Sequence, residues 1–256
     1  MLDFYRIISK FIFGILLLVA VITFFTRNNY RSVNNINAAV QSEPIQTEAE
    51  NQEPIEFTKD DYKYNLTPIY DYEINGLIVQ RMNYMWFSVY KTDSVFPSDV
   101  CMVWGSNAKN KIYKEESLKF SQDMRFCFAQ WSSKTDFNME EISNNHLVFK
   151  NEETEKKAKS LSRGDQVKIK GQLVNIEAKN IGKPGEYDPD FIKWESSISR
   201  NDAGAGACEV IYVDSIEILS KANSISHALF EFSFYSLLLL IIFNTILFFI
   251  APIKKD

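Results

Sequence analysis

Apolar residues crowd the two ends of this chain and leave a mostly polar middle. Phe11 to Thr26 reads FIFGILLLVAVITFFT, and Leu229 to Ile250 reads LFEFSFYSLLLLIIFNTILFFI. A helix rises about 1.5 Å per residue and a bilayer's hydrocarbon layer is about 30 Å thick, so about 20 residues cross it. The second segment has that length and is apolar all round, unlike the one-sided stripe of a core helix. Glu231 sits at its edge, and Thr245 inside it can hydrogen-bond back to its own helix. Pro252 stops it, and Lys254 and Lys255 follow. The first segment reaches spanning length once Ile7 and Ile8 are added, with Lys10 snorkelling to the headgroups. A cleaved signal peptide is the alternative for it. Phe24 and Phe25, however, stand where cleavage needs small residues, so an uncleaved anchor is expected. The pattern predicts a cytoplasmic N-terminus at 1–10, membrane helices at 11–26 and 229–250, and a cytoplasmic tail at 251–256. Arg6, Lys10, Lys254 and Lys255 favour both termini inside and the middle outside, against Arg27 and Arg31.

The middle divides in two. Residues 27–61 predict a flexible linker: Ser32 to Glu56 is rich in Asn, Gln and Glu and carries Pro44 and Pro54. Its carboxylates (Glu43, Glu48, Glu50, Glu53, Glu56) repel one another and favour extension. Residues 62–220 predict a folded domain. Aromatic and β-branched runs at Ile69–Gln80, Met85–Tyr90 and Asp99–Trp104 read as strands, with Gly76 as a bulge or bend in the first. Met124, Phe126 and Phe128 alternate with Arg125, Cys127 and Ala129, the period of a half-buried strand. The clearest strand sets Val167, Ile169, Gly171 and Leu173 against Gln166, Lys168, Lys170 and Gln172. Phe191–Ile198 and Cys208–Leu219 close the domain as strands. Asn151–Leu161 is the best helix, with Glu-to-Lys pairs at i,i+4, and Asn138–Ile142 predicts one helical turn. The expected fold is mainly β with one or two short helices: an OB-like small barrel between two transmembrane helices.

Charge and cysteine content narrow the partners. Net charge is −5, and no run of Lys and Arg offers the clustered cations that phosphate binding needs, so no nucleic acid is expected. The lipid bilayer, met through both helices, is the first expected partner. Of three cysteines, Cys101 and Cys127 lie on neighbouring predicted strands and are the first expected disulfide. Three buried free thiols remain the alternative.

A wider set of residues carries a resemblance. Asp99 with Trp104-Gly105 makes a D-x-x-x-x-WG element, and Asn144-Asn145-His146-Leu147 an N-x-H-L element. Gly164-Asp165 opens a GD strand. Ser197, Arg200, Asp202, Gly204 and Gly206-Ala207-Cys208-Glu209 make an S-x-x-R-x-D-x-G-x-GACE ending. Over roughly residues 70–218 the chain resembles a bacterial family of membrane-associated proteins with an OB-like barrel domain. It departs from that pattern at Val148-Phe149-Lys150, where the family has an Ile-Pro-Ala run. The resemblance implies a fold and brings no activity with it.

Candidate chemistry is sparse. Cys208 with His146 could form a thiol nucleophile and its base, oriented by Asp202 or Asp165. No C-x-x-C or H-x-x-x-H spacing offers a metal site, and none is expected, nor any cofactor. The Gly-rich loop after Asp202 lacks the Lys-Ser/Thr of a phosphate loop and precedes a strand. Arg200 beside Ser197 and Ser199 could hold an anion or pair with Asp202 or Glu209. Trp86, Trp104, Trp131 and Trp194 could stack ligands or serve as core. The expected binding face comprises His146, Trp194, Arg200 and Asp202. The expected function is a non-enzymatic binding or scaffold module of the bacterial envelope. It would be held at the inner membrane with its barrel in the periplasm and another envelope protein as partner. The alternative is a thiol-dependent enzyme using Cys208 and His146.

Overall fold

The computed structural model describes residues 2–84, 94–123, 125–183, 188–202, 204 and 207–250. The chain forms two compact units, one built from residues 1–29 with 222–256 and one from residues 30–221.

The terminal unit pairs helices α1 (Leu2–Thr26) and α4 (Ser224–Ile250). Both are long and apolar enough to cross a membrane. They run longer than the expected 11–26 and 229–250, because polar first turns continue the same helices. Polar side chains within them find partners on their own helix or on the other one. Thr245 donates to the Ile241 carbonyl at 2.8 Å, and the Asn244 amide donates to Ser9 Oγ at 2.9 Å. The Arg27 guanidinium lies 3.6 Å from the Phe230 ring centroid, and Asn223 donates to the carbonyls of Arg27 and Asn29.

The second unit is mostly β. Its long strands are β3 (Tyr62–Asn83), β4 (Ser98–Val103), β7 (Ile142–Phe149), β8 (Gln166–Asn180) and β10 (Cys208–Ser220). Pairings run from β3 to β4, β7, β10 and β8, and β8 returns to β3. All are antiparallel except β7 with β10. The short strands β1 (Ile45–Glu48) and β2 (Ile55–Lys59) pair with β3, and β9 (Phe191–Trp194) pairs with β8. A separate hairpin joins β5 (Lys119–Asp123) to β6 (Phe126–Gln130). Among the described residues there are four α-helices rather than one or two. Two are the terminal pair, and two are short: α2 (Gly105–Lys109) and α3 (Glu152–Lys159).

Local chemistry explains these elements. Asn151 caps α3 by accepting from the Thr154 amide at 3.0 Å, and Glu152–Lys156 and Glu155–Lys159 form the expected i,i+4 pairs. The predicted turn at Asn138–Ile142 is a 3-10 turn, Met139–Glu141. Gly164 follows α3 with φ +93°, and the Asp165 carboxylate then accepts from the Ser162 amide and Lys221. The apolar side of β8 (Val167, Ile169, Leu173) joins Ile74, Met102, Trp104, Leu147 and Ile211 in one core cluster. Gly171 lies in that row because a Cβ there would stand 2.1 Å from the Tyr212 carbonyl oxygen. Gly76 is not a bulge. It lies in β3 where a Cβ would approach Met102 Cβ to 2.9 Å, and the register shifts fall at Pro68/Tyr70 and Ile78/Gln80 instead.

The expected linker at 27–61 is a correction. From Tyr30 onward it belongs to the sheet unit. Val40 is wholly buried against Leu77, Val103 and Tyr113, and β1 and β2 flank β3. Asp60 and Asp61, both at positive φ, turn β2 tightly into β3 as a two-residue hairpin requires. Acidic spacing outweighed the isolated apolar residues Val40, Ile45 and Ile55, which only tertiary packing makes decisive. The strand predicted at Met85–Tyr90 lies outside the described residues.

Candidate functional site

Side chains two apart on a strand share a face, so register alone assembles the site. Asp99 on β4 pairs with His146 on β7, and Cys101 pairs with Asn144. On the other flank of β7, Cys208 of β10 pairs with Asn144 and Val210 with His146. One sheet face therefore carries two adjacent rows: Cys101–Asn144–Cys208 and Asp99–His146–Val210.

The contacts follow this register. His146 Nδ1 lies 2.9 Å from Asp99 Oδ1, and Asp99 is wholly buried. Arg125 Nη1 reaches both Asp99 oxygens at 3.3 Å and donates to the Phe96 carbonyl at 3.2 Å. Its guanidinium lies 3.9 Å from the centroid of the Tyr84 ring. Cys208, one row along the same face, also favours the protonated imidazole of His146. The Asn144 amide donates to Cys208 Sγ at 3.3 Å and to the Arg125 carbonyl at 2.5 Å. Burial alone would lower the His146 pKa, but Asp99 and then Cys208 overcome it and push it up to about 9.

The β5–β6 hairpin lies over this face. A disulfide joins Cys127 of β6 to Cys101 of β4, their Cα atoms 6.0 Å apart. Cys101 and Cys127 thus form the expected pair, although their strands belong to different sheets. Cys208 is free and half-buried. It opens on a cavity of about 150 Å³ whose lining includes Phe126, Cys127, Phe128, Met139, Arg200 and Asp202.

The expected binding residues are only partly brought together. Arg200 lines the cavity, yet its guanidinium is occupied. Nη1 pairs with Glu209 at 2.6 Å, and Nη2 donates to Gln46 at 3.0 Å and to the Tyr72 hydroxyl at 3.2 Å. Burial pushes the Glu209 carboxyl up to about 8 against the pull of Arg200. Asp202 is exposed and accepts from the Ser197 hydroxyl. Trp194 stands behind Phe96, ring centroids 4.9 Å apart, and Phe96 in turn packs on His146 at 5.5 Å. Of the other tryptophans, Trp104 is core and Trp131 is 40% exposed, while Trp86 lies outside the described residues.

The carboxylate that orients His146 is a second correction. Asp202 and Asp165 were the expected candidates. Asp202 instead holds Ser197, and Asp165 holds Ser162 and Lys221. Asp99 takes the role because strand register sets it directly opposite His146. A charged residue inside a predicted apolar strand was the available signal. Arg125 and Asn144 were also missed, since their roles depend on the hairpin folding over β7. No protein-family model matches this chain, and no curated protein or solved structure matches it either.

Proposed function

We propose that the protein is a membrane-anchored binding module of the bacterial envelope that presents an OB-like barrel outside the cytoplasm. The proposal includes membership of the bacterial family that the Ser197–Glu209 ending resembles. One observation carries the barrel reading: five strands paired in a circuit in the order β3–β4–β7–β10–β8, with α3 between β7 and β8. That is the strand order of an OB barrel, whose second and third strands and flanking loops form the usual binding face. Here those strands are β4 and β7, and the cavity beside Cys208 lies along β7, at Ile142, Ser143 and Asn144, and the start of β10. Two helices of spanning length support the membrane anchor. The Cys101–Cys127 disulfide supports an oxidising compartment, as the flanking lysines do. The partner is another envelope protein that meets the exposed aromatics of β6, Phe126 and Phe128.

Side and partner are tested in intact cells. A Glu53→Cys variant, at an exposed position, should react with a membrane-impermeant maleimide before the cells are opened. Reaction only after lysis would overturn the placement. A photo-crosslinking residue at Phe128 should give one discrete adduct with an envelope protein, and an unchanged monomer band would count against the binding reading.

A second reading, thiol chemistry at Cys208, is favoured by the contact series Asp99–His146–Cys208 and by a free thiol at a cavity. A cysteine and a histidine side by side at a cavity are the pairing that activates a sulfur nucleophile. His146→Gln should slow alkylation of Cys208 at least about tenfold, as loss of one acid–base partner typically does. An unchanged rate would remove this reading.

A further inference from the structure

We propose that Cys208 is the attacking thiol of a three-cysteine exchange site whose substrate is the neighbouring Cys101–Cys127 disulfide. The inference rests on the thiol reading above and assigns its substrate.

The register brings all three sulfurs to one place. Cys101 and Cys208 flank Asn144 on adjacent strands and share its sheet face. Cys127 hangs over that face from the hairpin and lines the same cavity as Cys208. Strands lie about 4.8 Å apart, so Cys101 and Cys208, two strand spacings apart, have Cα atoms separated by about 10 Å. A disulfide tolerates at most about 7 Å, so Cys101 and Cys208 cannot join each other without moving the sheet. Cys127 belongs to a separate two-stranded hairpin that lies over the sheet and already shares a cavity with Cys208, so it can turn from one to the other without any shift of strand register. It is therefore the sulfur that changes partner.

The step balances without an oxidant or reductant. The Cys208 proton leaves to solvent through the open cavity, and the protonated imidazole, with Nδ1 2.9 Å from Asp99, faces the thiolate that remains. The Cys208 thiolate attacks Cys127 Sγ. A Cys127–Cys208 bond forms as the Cys101–Cys127 bond breaks, and Cys101 leaves as thiolate and takes up a proton. One disulfide and one thiol stand on each side. The Asn144 amide, 3.3 Å from Cys208 Sγ, donates to the sulfur as its negative charge develops. The covalent tie of the hairpin moves from β4 to β10, which changes the wall of the cavity that Phe126 and Phe128 form.

The test uses the full chain in detergent micelles. Protein is held at acid pH, moved to neutral pH, quenched with acid at intervals and digested without reduction, and disulfide-linked peptides are counted by mass spectrometry. The Cys127–Cys208 peptide should appear at neutral pH, be absent from Cys208→Ser, and form about tenfold more slowly in His146→Gln. In Cys101→Ala, where two thiols remain, added oxidised glutathione should join Cys127 to Cys208 in nearly every molecule. Should that variant fail to fold, the wild-type time course decides alone. Absence of the Cys127–Cys208 peptide from wild type overturns the exchange. Alkylation of Cys208 is measured on the same samples. Fast, His146-dependent alkylation without the new disulfide leaves thiol reactivity standing and removes the exchange, whereas loss of both removes both.

Discussion

Replacing Asp99 with Asn should drop the His146 pKa from about 9 to below 6.5 and abolish most of the pH dependence that His146 gives to stability. Asp99 is wholly buried, and its carboxylate faces two cations, His146 at 2.9 Å and Arg125 at 3.3 Å. The imidazole also meets the Cys208 thiol and the Phe96 ring. Its pKa rises from an ordinary 6.5 to about 9, so the folded state holds this proton more tightly than the unfolded state does. Each pH unit between the two values is worth about 1.4 kcal/mol, which makes the contribution about 3 kcal/mol. The sign follows. The stabilisation is complete below pH 6.5 and is lost as pH rises through about 9. The asparagine amide keeps the shape and removes the charge. Burial then acts against Cys208 alone, and His146 should titrate below 6.5. Arg125, losing its buried carboxylate partner, should also cost about 3–5 kcal/mol at neutral pH. The chain has two histidines, so a His227→Gln background leaves one imidazole to follow by NMR in micelles. A wild-type midpoint near 6.5, or a midpoint that Asp99→Asn does not move, would refute the assignment.

Three further perturbations probe the frame. Arg200→Met strips the partner from Glu209, which is 3% exposed, and should cost about 3–5 kcal/mol above pH 8. Below that pH the carboxyl is protonated and the loss should shrink, as denaturant titrations at two pH values would show. Gly171→Ala forces a Cβ to 2.1 Å from the Tyr212 carbonyl oxygen and should cost roughly 2–4 kcal/mol, read as a fall in Tm with faster amide exchange in β8 and β10. Val40→Ala should cost about 2 kcal/mol in the same melt, because the side chain it truncates is wholly buried. A solvated spacer would give no change.

Periodicity and turn chemistry made much of the frame legible. The alternation from Gln166 to Leu173 and the helix at Asn151–Leu161 depend on neighbours in sequence, and both elements formed as expected. The strap from Tyr30 to Glu48 did not read through. Its few apolar residues gain meaning only from Leu77 and Val103, which lie far along the chain. The site was half legible for the same reason. Cys208 and His146 stood out as rare residue types, while Asp99 was one carboxylate among many until register set it opposite the imidazole. Nothing local to Arg200 distinguished an anion-binding arginine from one already committed to Glu209.

The pairing of β3 with β8 has a consequence in time. Its partners lie about a hundred residues apart, and β10 supplies both the parallel seam to β7 and the antiparallel seam to β8. Contacts so distant slow folding, because a long loop must close before any pairing rewards it. The circuit cannot be completed until Ser220 has been synthesised, a few residues before α4 begins at Ser224. A nascent chain would therefore wait with β3, β4 and β7 half-paired. Closure of the sheet and delivery of the last apolar helix become nearly simultaneous events in the life of the molecule.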